Sequence, residues 1–334
     1  MRRPSSHREE GAVLLTTLLL MSFMATLAVA IATDTRASVR RTVAIEDGRQ
    51  ASHYLAGAEA FALATITQRF AELDADALNS ALRTPQVLTF PIGDGLITVS
   101  VTDGSHCLSP TDALDANGQR RLSNLFTSLG VPPFEAQSLT VALTDWQDPD
   151  QNPQAGGAED AHYLLQPVPY RTADTPITAP FEMRAVRGFT SERYAALAPW
   201  LCVRGAEVVA VNANTLGPQD APLLAATLGA SVFPERAVSL LADRPEEGWT
   251  DTSLDEALER NGFDPSERVG LGTQTDTIRA DIRVTYRGRE RVARLYTDRG
   301  GNLLSREAGE ALSPSRPLQT GAVGTEQNVQ ESSP

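Results

Sequence analysis

A continuous run of apolar residues, from Ala12 to Ala32, dominates the N-terminal part of the chain. At about 1.5 Å rise per residue, a helix of this length spans the roughly 30 Å hydrocarbon core of a bilayer. Beyond the run, apolar residues continue at spacings of three and four, as at Leu55, Ala58 and Ala62, which is typical of an amphipathic helix. The pattern therefore predicts one helix that begins in a membrane, spans it between Ala12 and Ala32, and continues to about residue 70.

Alternation of apolar and polar residues predicts β-strands in two separate parts of the chain. The segment QVLTFPIGDGLITVSVTDGS predicts a hairpin with Asp94 and Gly95 in its turn. Strand patterns return near the C-terminus in TIRADIRVTYRG, RERVARLYTDRGG and NLLSRE, with a turn at Gly288. These closing strands are too few to form a sheet alone, so we expect them to join the early hairpin.

Between the two groups of strands, the pattern predicts a helical block punctuated by proline and glycine. The predicted helices cover residues 115–129, 136–146, 191–201, 219–228, 234–241 and 253–261. The predicted fold class is therefore α+β, a long N-terminal helix plus an antiparallel sheet, with a large inserted α-helical domain. The predicted segments are a leader (1–11), a membrane and stem helix (12–70), the first part of the α+β domain (71–105), the insertion (106–265), the closing strands (266–308) and a disordered polar tail (309–334).

Composition and charge exclude some classes of function. The formal net charge of -13 and the absence of a basic stripe argue against nucleic acid as a partner. The sequence shows no nucleophile elbow and no phosphate-binding glycine loop, so an enzyme is not expected.

The two cysteines, Cys107 and Cys202, lie far apart and outside any C-x-x-C motif, which disfavours a zinc or redox site. In an oxidising compartment they are expected to form one disulfide, worth about 4 to 5 kcal/mol in the chain-entropy model. The alternative is two unpaired buried thiols.

An acidic loop, LTDWQDPDQNPQAGGAEDAHY, is the strongest candidate for chemistry outside the N-terminus. Oxygen donors at positions 1, 3, 5 and 12 of the EF-hand pattern are Asp148, Asp150, Asn152 and Glu159. Pro153 replaces the glycine of position 6, so the loop is not an EF-hand. Further candidate ligands are Asp145 and Asp160. The loop suits calcium in an extracytoplasmic setting; the alternative is a solvated acidic turn.

The N-terminal segment admits three interpretations. The apolar run could stay as an uncleaved anchor, which leaves Met1 as the first residue. Cleavage after Ala30, in an A-x-A pattern, would instead remove it as a signal peptide. The leader MRRPSSHREEG, which ends in Gly11, resembles a type IV prepilin leader. That resemblance implies cleavage after Gly11 by a prepilin peptidase, so that Ala12 becomes the mature N-terminus.

Several segments in this order also resemble one family, the K subunit of the type II (general) secretion pathway, up to about residue 308. They are GAVLLT, RRTVAIEDGRQASHYLAGAEAFA, DWQDPDQ, GAEDAHY, PFEMRAVRGF and VVAVNANTLGPQDAPLLA. Thr16 stands at the fifth mature position, where pilins usually place a glutamate, and K subunits share this departure. The family resemblance therefore implies a minor pseudopilin that caps the tip of the pseudopilus and helps to initiate its assembly for protein export.

The same resemblance carries further expectations about the molecule. It implies a pilin-like α+β domain, calcium in the acidic loop, methylation, and assembly with the minor pseudopilins I and J. It places the protein in the inner membrane as a single-pass protein, with most of the chain in the periplasm. The alternative from another class is a membrane-anchored periplasmic binding module with no filament role.

Overall fold

The N-terminal helix α1 (His7–Phe70) is one element of 64 residues in the computed structural model. It is the one helix in the described part of the chain that is long and apolar enough to cross a membrane. Its first half exposes apolar side chains such as Leu14 and Phe23, whereas its second half buries a stripe on one side. The stripe consists of Ala51, Leu55, Ala58, Ala62, Ile66 and Phe70. The helix therefore has an unpacked half and a half that forms part of a core.

The structure describes residues 7–204, 210–229, 233–268, 270–309 and 312. The first six residues of the leader lie outside this range. The tail predicted to be disordered also lies outside it, apart from Gly309 and Leu312.

Five antiparallel strands form the sheet against which α1 packs. The strands are β1 (Gln86–Ile92), β2 (Gly95–Asp103), β5 (Thr277–Tyr286), β6 (Arg289–Asp298) and β7 (Leu303–Gly309). They lie side by side in the order β1-β2-β5-β6-β7. Pairing of β2 with β5 joins the hairpin before the insertion to the strands after it. The α+β fold class predicted from the sequence is confirmed.

The turn of the first hairpin lies one residue earlier than predicted. Ile92 pairs with Gly95, so Gly93 and Asp94 form the turn, and Gly93 has a positive φ of 48°. Gly95 belongs to β2, where a Cβ atom would lie 2.3 Å from the carbonyl oxygen of Thr285. Glycine is needed there because β5 approaches closely, which a local turn pattern does not show.

The remaining helices lie around and within the insertion. They are α2 (Ala75–Leu82), α3 (Ala116–Ser128), α4 (Pro133–Gln147), α5 (Asp160–Tyr163), α6 (Ser191–Leu197), α7 (Ala221–Leu228), α8 (Pro234–Ala242) and α9 (Asp251–Arg260). Helices α2 and α5 were not predicted. The helix predicted at 191–201 ends early, since Pro199 lies in a short 3₁₀ turn after Leu197.

Two large hydrophobic cores lie in the described part of the chain. One joins α1 and α2 to the sheet, through residues such as Ile66, Leu78 and Val99. The other lies within the insertion and includes Leu271. Leu271 belongs to a short strand, β4 (Leu271–Gly272), which pairs in parallel with β3 (Val211–Asn212), so the insertion continues past residue 265.

A buried polar cluster and a disulfide fix the insertion to the sheet. The Oδ2 atom of Asp103, at the end of β2, accepts hydrogen bonds from Asn212, Thr215 and Thr275 at 2.7–3.1 Å. The disulfide joins Cys107 to Cys202 across a sequence separation of 95 residues and packs with Tyr296 of β6. These contacts hold the root of the insertion at one end of β2.

Candidate metal centre

Three carboxylates converge where α4 ends. One oxygen from each of Asp145, Asp148 and Glu159 lies within 4.8 Å of the others. Asp145 is in the last turn of α4, Asp148 is its C-cap, and Glu159 directly precedes α5. The loop between Asp148 and Glu159 therefore brings the chain back beside the C-terminal end of α4.

Four oxygen atoms of this carboxylate cluster lack hydrogen-bond donors in the described structure. Asp145 is fully buried and Glu159 is 2% exposed. Within the described residues, Asp145 Oδ1, Asp148 Oδ1 and both carboxylate oxygens of Glu159 have no hydrogen-bond partner. Buried carboxylate oxygens without donors are costly unless a cation satisfies them. A donor set made only of oxygens fits a hard divalent cation such as calcium.

The carboxylates also shift one another's pKa. Burial raises the pKa of Asp145, and the charge of Asp148 adds to the increase. Burial likewise raises the pKa of Asp148, with a contribution from Asp150. For Glu159, burial and the charges of Asp145 and Asp148 raise the pKa from 4.5 to about 7. The cluster is thus electrostatically unfavourable when all its members are ionised.

A glycine pair allows the loop to close on α4. A Cβ atom on Gly157 would lie 1.9 Å from Asp145 Oδ2, and Gly156 has a positive φ of 96°. The backbone N–H of Gln154 donates to Asp145 Oδ2 at 3.1 Å, which orients that carboxylate. These glycines lie shortly before Glu159, but they match no ligand motif and were not among the predicted site residues.

The other candidate ligands lie outside the three-carboxylate group. Asp150 Oδ1 accepts hydrogen bonds from the backbone N–H and side-chain amide of Asn152. Asp160 accepts two hydrogen bonds from Thr172 and forms an ion pair with Arg171. Its partial burial raises the pKa of Asp160, but these hydrogen bonds and the Arg171 charge outweigh it and lower the pKa.

The raised pKa of Glu159 predicts a pH dependence of stability in chelator. The folded state binds more protons than the unfolded state between pH 4.5 and about 7, so the free energy of unfolding should fall as pH rises through that range. Urea denaturation of the intact chain at several pH values would measure this slope. Glu159→Gln should flatten it; an unchanged slope in that variant would contradict the assignment to Glu159.

The predicted processing site lies on α1. Gly11 and Ala12 are within the helix, at the start of its apolar stretch. The hydroxyl of Thr16 donates to the carbonyl oxygen of Val13 at 2.9 Å, so this side chain is satisfied within its own helix. The apolar side chains that follow are exposed, as a lipid-facing or partner-facing helix requires.

The membrane segment predicted from Ala12 to Ala32 has no structural boundary at its C-terminal end. Ala32 is an exposed residue inside α1, and the helix continues through it without a break to Phe70. The candidate membrane-spanning helix of the structure is correspondingly longer, Val13–Phe70. The apolar run ends at Ala32 because charged residues such as Asp34 and Arg36 follow, and charges are costly in hydrocarbon. Helix geometry does not mark this limit, so Ala32 as the end of the span stays a prediction from hydropathy.

Comparison with known proteins gives consistent matches. Two family models described as "Type II secretion system (T2SS), protein K" match residues 100–206 and 211–273. Type II secretion system protein K of Pectobacterium carotovorum subsp. carotovorum is 32% identical over 293 residues, which covers 82% of this chain and 86% of the relative. The Klebsiella pneumoniae protein of the same name is 33% identical over 262 residues, or 73% of this chain and 78% of the relative.

A solved structure shows the same fold. It is the crystal structure of the GspK-GspI-GspJ complex from the type 2 secretion system of enterotoxigenic Escherichia coli. The match has a TM-score of 0.66 at 23% sequence identity, and it covers 81% of this chain and all of the other.

Proposed function

This chain belongs to the type II secretion system protein K family, and we propose that it caps the tip of the pseudopilus and helps to initiate its assembly. It is a minor pseudopilin, a structural component of the secretion system. In the proposed role its work is mechanical, because the pseudopilus carries folded proteins towards export across the outer membrane.

The observation that carries the tip assignment is the size of the insertion. It has a hydrophobic core of its own and is joined to one end of β2. A subunit inside a helical filament must present the same surfaces to neighbours above and below it. A domain of this size would have to be accommodated at every repeat of a shaft, whereas at the tip it meets no subunit above.

Thr16 supports the same assignment. Cleavage after Gly11 would make Thr16 the fifth mature residue, where pilins usually carry a glutamate. A carboxylate in lipid needs a partner, which in pilins is the N-terminal amine of a neighbour. The hydroxyl of Thr16 bonds to its own helix, so the position has no charge with which to recruit a further subunit in that way.

The proposed partners are the minor pseudopilins I and J. The solved complex that shares this fold contains GspI and GspJ together with GspK. In this chain the exposed apolar half of α1, which includes Leu27, Val29 and Ile31, offers a surface for other helices. Before assembly, the apolar run of that half would lie in the inner membrane as a single-pass anchor, with the sheet and insertion in the periplasm.

Calcium is the proposed ligand of the carboxylate cluster. Asp145, Asp148 and Glu159 supply oxygen donors at one point, and four of their buried oxygens have no hydrogen-bond donor in the described structure. Extracytoplasmic calcium sites need affinities of only about 10⁻⁴ to 10⁻³ M. In this site calcium would supply charge neutralisation and hold the loop against α4.

Changing Thr16 to glutamate tests the tip assignment. We expect Thr16→Glu to let the protein enter the shaft or to impair its placement at the tip, because the new carboxylate can pair with a neighbour's amine. Crosslinking along sheared pseudopili, together with a secretion assay, would measure both effects. Thr17→Glu is the matched control, since its hydroxyl is bonded in the same way, to Leu14, and the charge is the same.

Unchanged location and secretion in Thr16→Glu would contradict the tip assignment. Sequencing of the mature N-terminus tests whether the chain is processed as a prepilin. Ala12 is the expected first residue, and Met1 or Ile31 would exclude prepilin processing. A failure to crosslink to any pilin-like partner would favour a membrane-anchored periplasmic binding module.

A further inference from the structure

A basic groove of about 410 Å³ lies between α1 and the start of β6. Arg49 of α1 lines it together with Arg289 and Arg291 of β6, and its described lining includes no aspartate or glutamate. The whole chain carries a formal net charge of -13, so three arginines around one groove are a local exception. Ala44 and Ile45 form an apolar wall of the same groove. The lining therefore fits a ligand that offers both carboxylates and apolar groups.

The side chains that line this basic groove are open to a partner. Ile45 is 63% exposed. The side chain of Arg49 is 69% exposed, and its contact with Glu46 at 3.5 Å involves a carboxylate that is 68% exposed. Such exposed pairs contribute little, because water and salt screen them. Arg289 is also exposed, and it takes part in no ion pair within the described residues. Arg49 and Arg289 can therefore bind an incoming carboxylate.

The acids nearest to Arg289 are paired with other arginines. Asp47 of α1 contacts Arg287, at 3.6 Å between Oδ1 and Nη1. Glu290, which directly follows Arg289, forms an ion pair with Arg283. Neither carboxylate lines the basic groove. The groove therefore receives no counter-ion from these neighbours.

Gly48 gives Arg291 room to lie against α1. Arg291 donates from Nε to the hydroxyl of Ser52 at 3.3 Å and from Nη1 to the carbonyl oxygen of Glu290 at 2.8 Å. A Cβ atom on Gly48 would lie 3.1 Å from Arg291 Nη2, which is a tight contact. Glycine inside a helix is destabilising relative to alanine, so this position favours the close approach of the arginine over helix stability.

The position of the basic groove favours a protein partner over lipid. Gly48 lies sixteen residues beyond Ala32, or about 24 Å along the helix axis. The headgroup region on one side of a bilayer is only about 5–8 Å thick, so phospholipid headgroups lie well short of the groove. Val39 and Val43, which are 56% and 50% exposed, precede the groove on α1. A helix that packed along α1 from the membrane outwards would pass over these valines and reach the groove.

We propose that the basic groove binds acidic side chains on the stem helix of a neighbouring pilin-like subunit. Arg49 and Arg289 supply the counter-ions, and Ile45 contacts the apolar side of the same helix. The inference rests on the proposed assembly with the minor pseudopilins I and J. It adds an electrostatic contact outside the membrane to the apolar packing within it, and this contact fixes the register of the two helices.

The sequence contains no lysine, which allows a direct test. Arg289→Lys introduces one side-chain amine, and a carbodiimide joins an amine to a carboxylate only where the two are in contact. In the detergent-solubilised complex of the full chain with I and J, this variant should form a crosslinked heterodimer. Mass spectrometry should place the link on an aspartate or glutamate of the partner's stem helix.

Two controls accompany the crosslinking. Arg69→Lys places the amine on an exposed residue in the last turn of α1, outside the basic groove, and it should give no such heterodimer. The natural chain measures the background that comes from lysines of the partners.

Removal of the positive charges tests the contact by affinity. Arg49→Gln with Arg289→Gln should weaken binding of the full chain to the I and J subunits about tenfold at low salt, because each exposed ion pair accounts for a factor of a few. It should also make binding less sensitive to added sodium chloride. Arg69→Gln with Arg260→Gln removes the same charge from exposed sites elsewhere and should change neither result.

The outcomes separate this contact from the assembly itself. If the natural chain binds I and J, but Arg289→Lys gives no crosslink and the glutamine variant binds equally well, the groove contact is wrong and the assembly stands. Absence of any complex would overturn both. If the glutamine variant keeps its affinity for I and J but loses binding to phosphatidylglycerol vesicles, the arginines bind lipid and the proposal is wrong.

Discussion

Calcium at about a hundredfold above its Kd is expected to raise the Tm of the intact chain by about 5–10 °C. Binding to the folded state alone contributes about 2.7 kcal/mol at that concentration. For a domain of about 150–250 residues, each kcal/mol changes Tm by about 2–4 °C. Thermal unfolding followed by circular dichroism, in calcium and in chelator, measures the difference.

Neutralising the carboxylate cluster should have opposite effects on stability in chelator and in calcium. In chelator, Asp148→Asn with Glu159→Gln should be more stable than the natural chain, because burial and mutual repulsion raise the pKa of both groups. In calcium the same variant should be less stable, because it has lost two ligands. Two opposite signs from one variant are difficult to obtain from a general effect on packing.

A matched control removes the same charge elsewhere. Glu246→Gln with Glu247→Gln alters two exposed acids in a turn, and it should leave the response to calcium unchanged. If the cluster variant loses the same stability in calcium and in chelator, Asp148 and Glu159 act through packing and the metal proposal is wrong.

Loss of the disulfide is expected to lower the free energy of unfolding by about 4–5 kcal/mol. The bridge from Cys107 to Cys202 closes a segment of 95 residues, and crosslinks of that span restrict the unfolded chain by about this amount. Urea denaturation of Cys107→Ala, Cys202→Ala and the double variant, against the oxidised natural chain, measures the loss.

Comparison of the single and double cysteine variants identifies the cause. Either single substitution removes the whole crosslink, so each should cost nearly as much as the double variant. Additive costs would indicate instead that the packing of each sulfur, beside Tyr296, is what matters. Equal stability of the reduced and oxidised natural chains would contradict the prediction.

Patterns that are local in sequence predicted the long helix, the strands and the acidic loop. Helix α1 carries a periodic stripe, and β2 and β5 alternate strongly, so each is specified by its own residues. The spacing of Asp148 and Glu159 is also local, and the structure brings the two together with Asp145.

What the sequence could not show depends on contacts between distant residues. Asp160 is a further candidate ligand by its place in the acidic loop, but it accepts hydrogen bonds from Thr172, twelve residues further along the chain. Gly95 matches a turn pattern, but the close approach of Thr285 explains it. Helix α5 has only four residues, too few for any periodicity to appear.

The pairing of β2 with β5 has a mechanical consequence. The backbone N–H of Gly104 donates to the carbonyl oxygen of Thr277 at 2.7 Å, so the chain leaves the sheet and re-enters it at adjacent points. A load applied along α1 can therefore pass from the helix into β5 and β6 and across the sheet without crossing the insertion. The helical domain branches from this load path at one end of β2, so thrust on the stem would not have to pass through its carboxylate cluster.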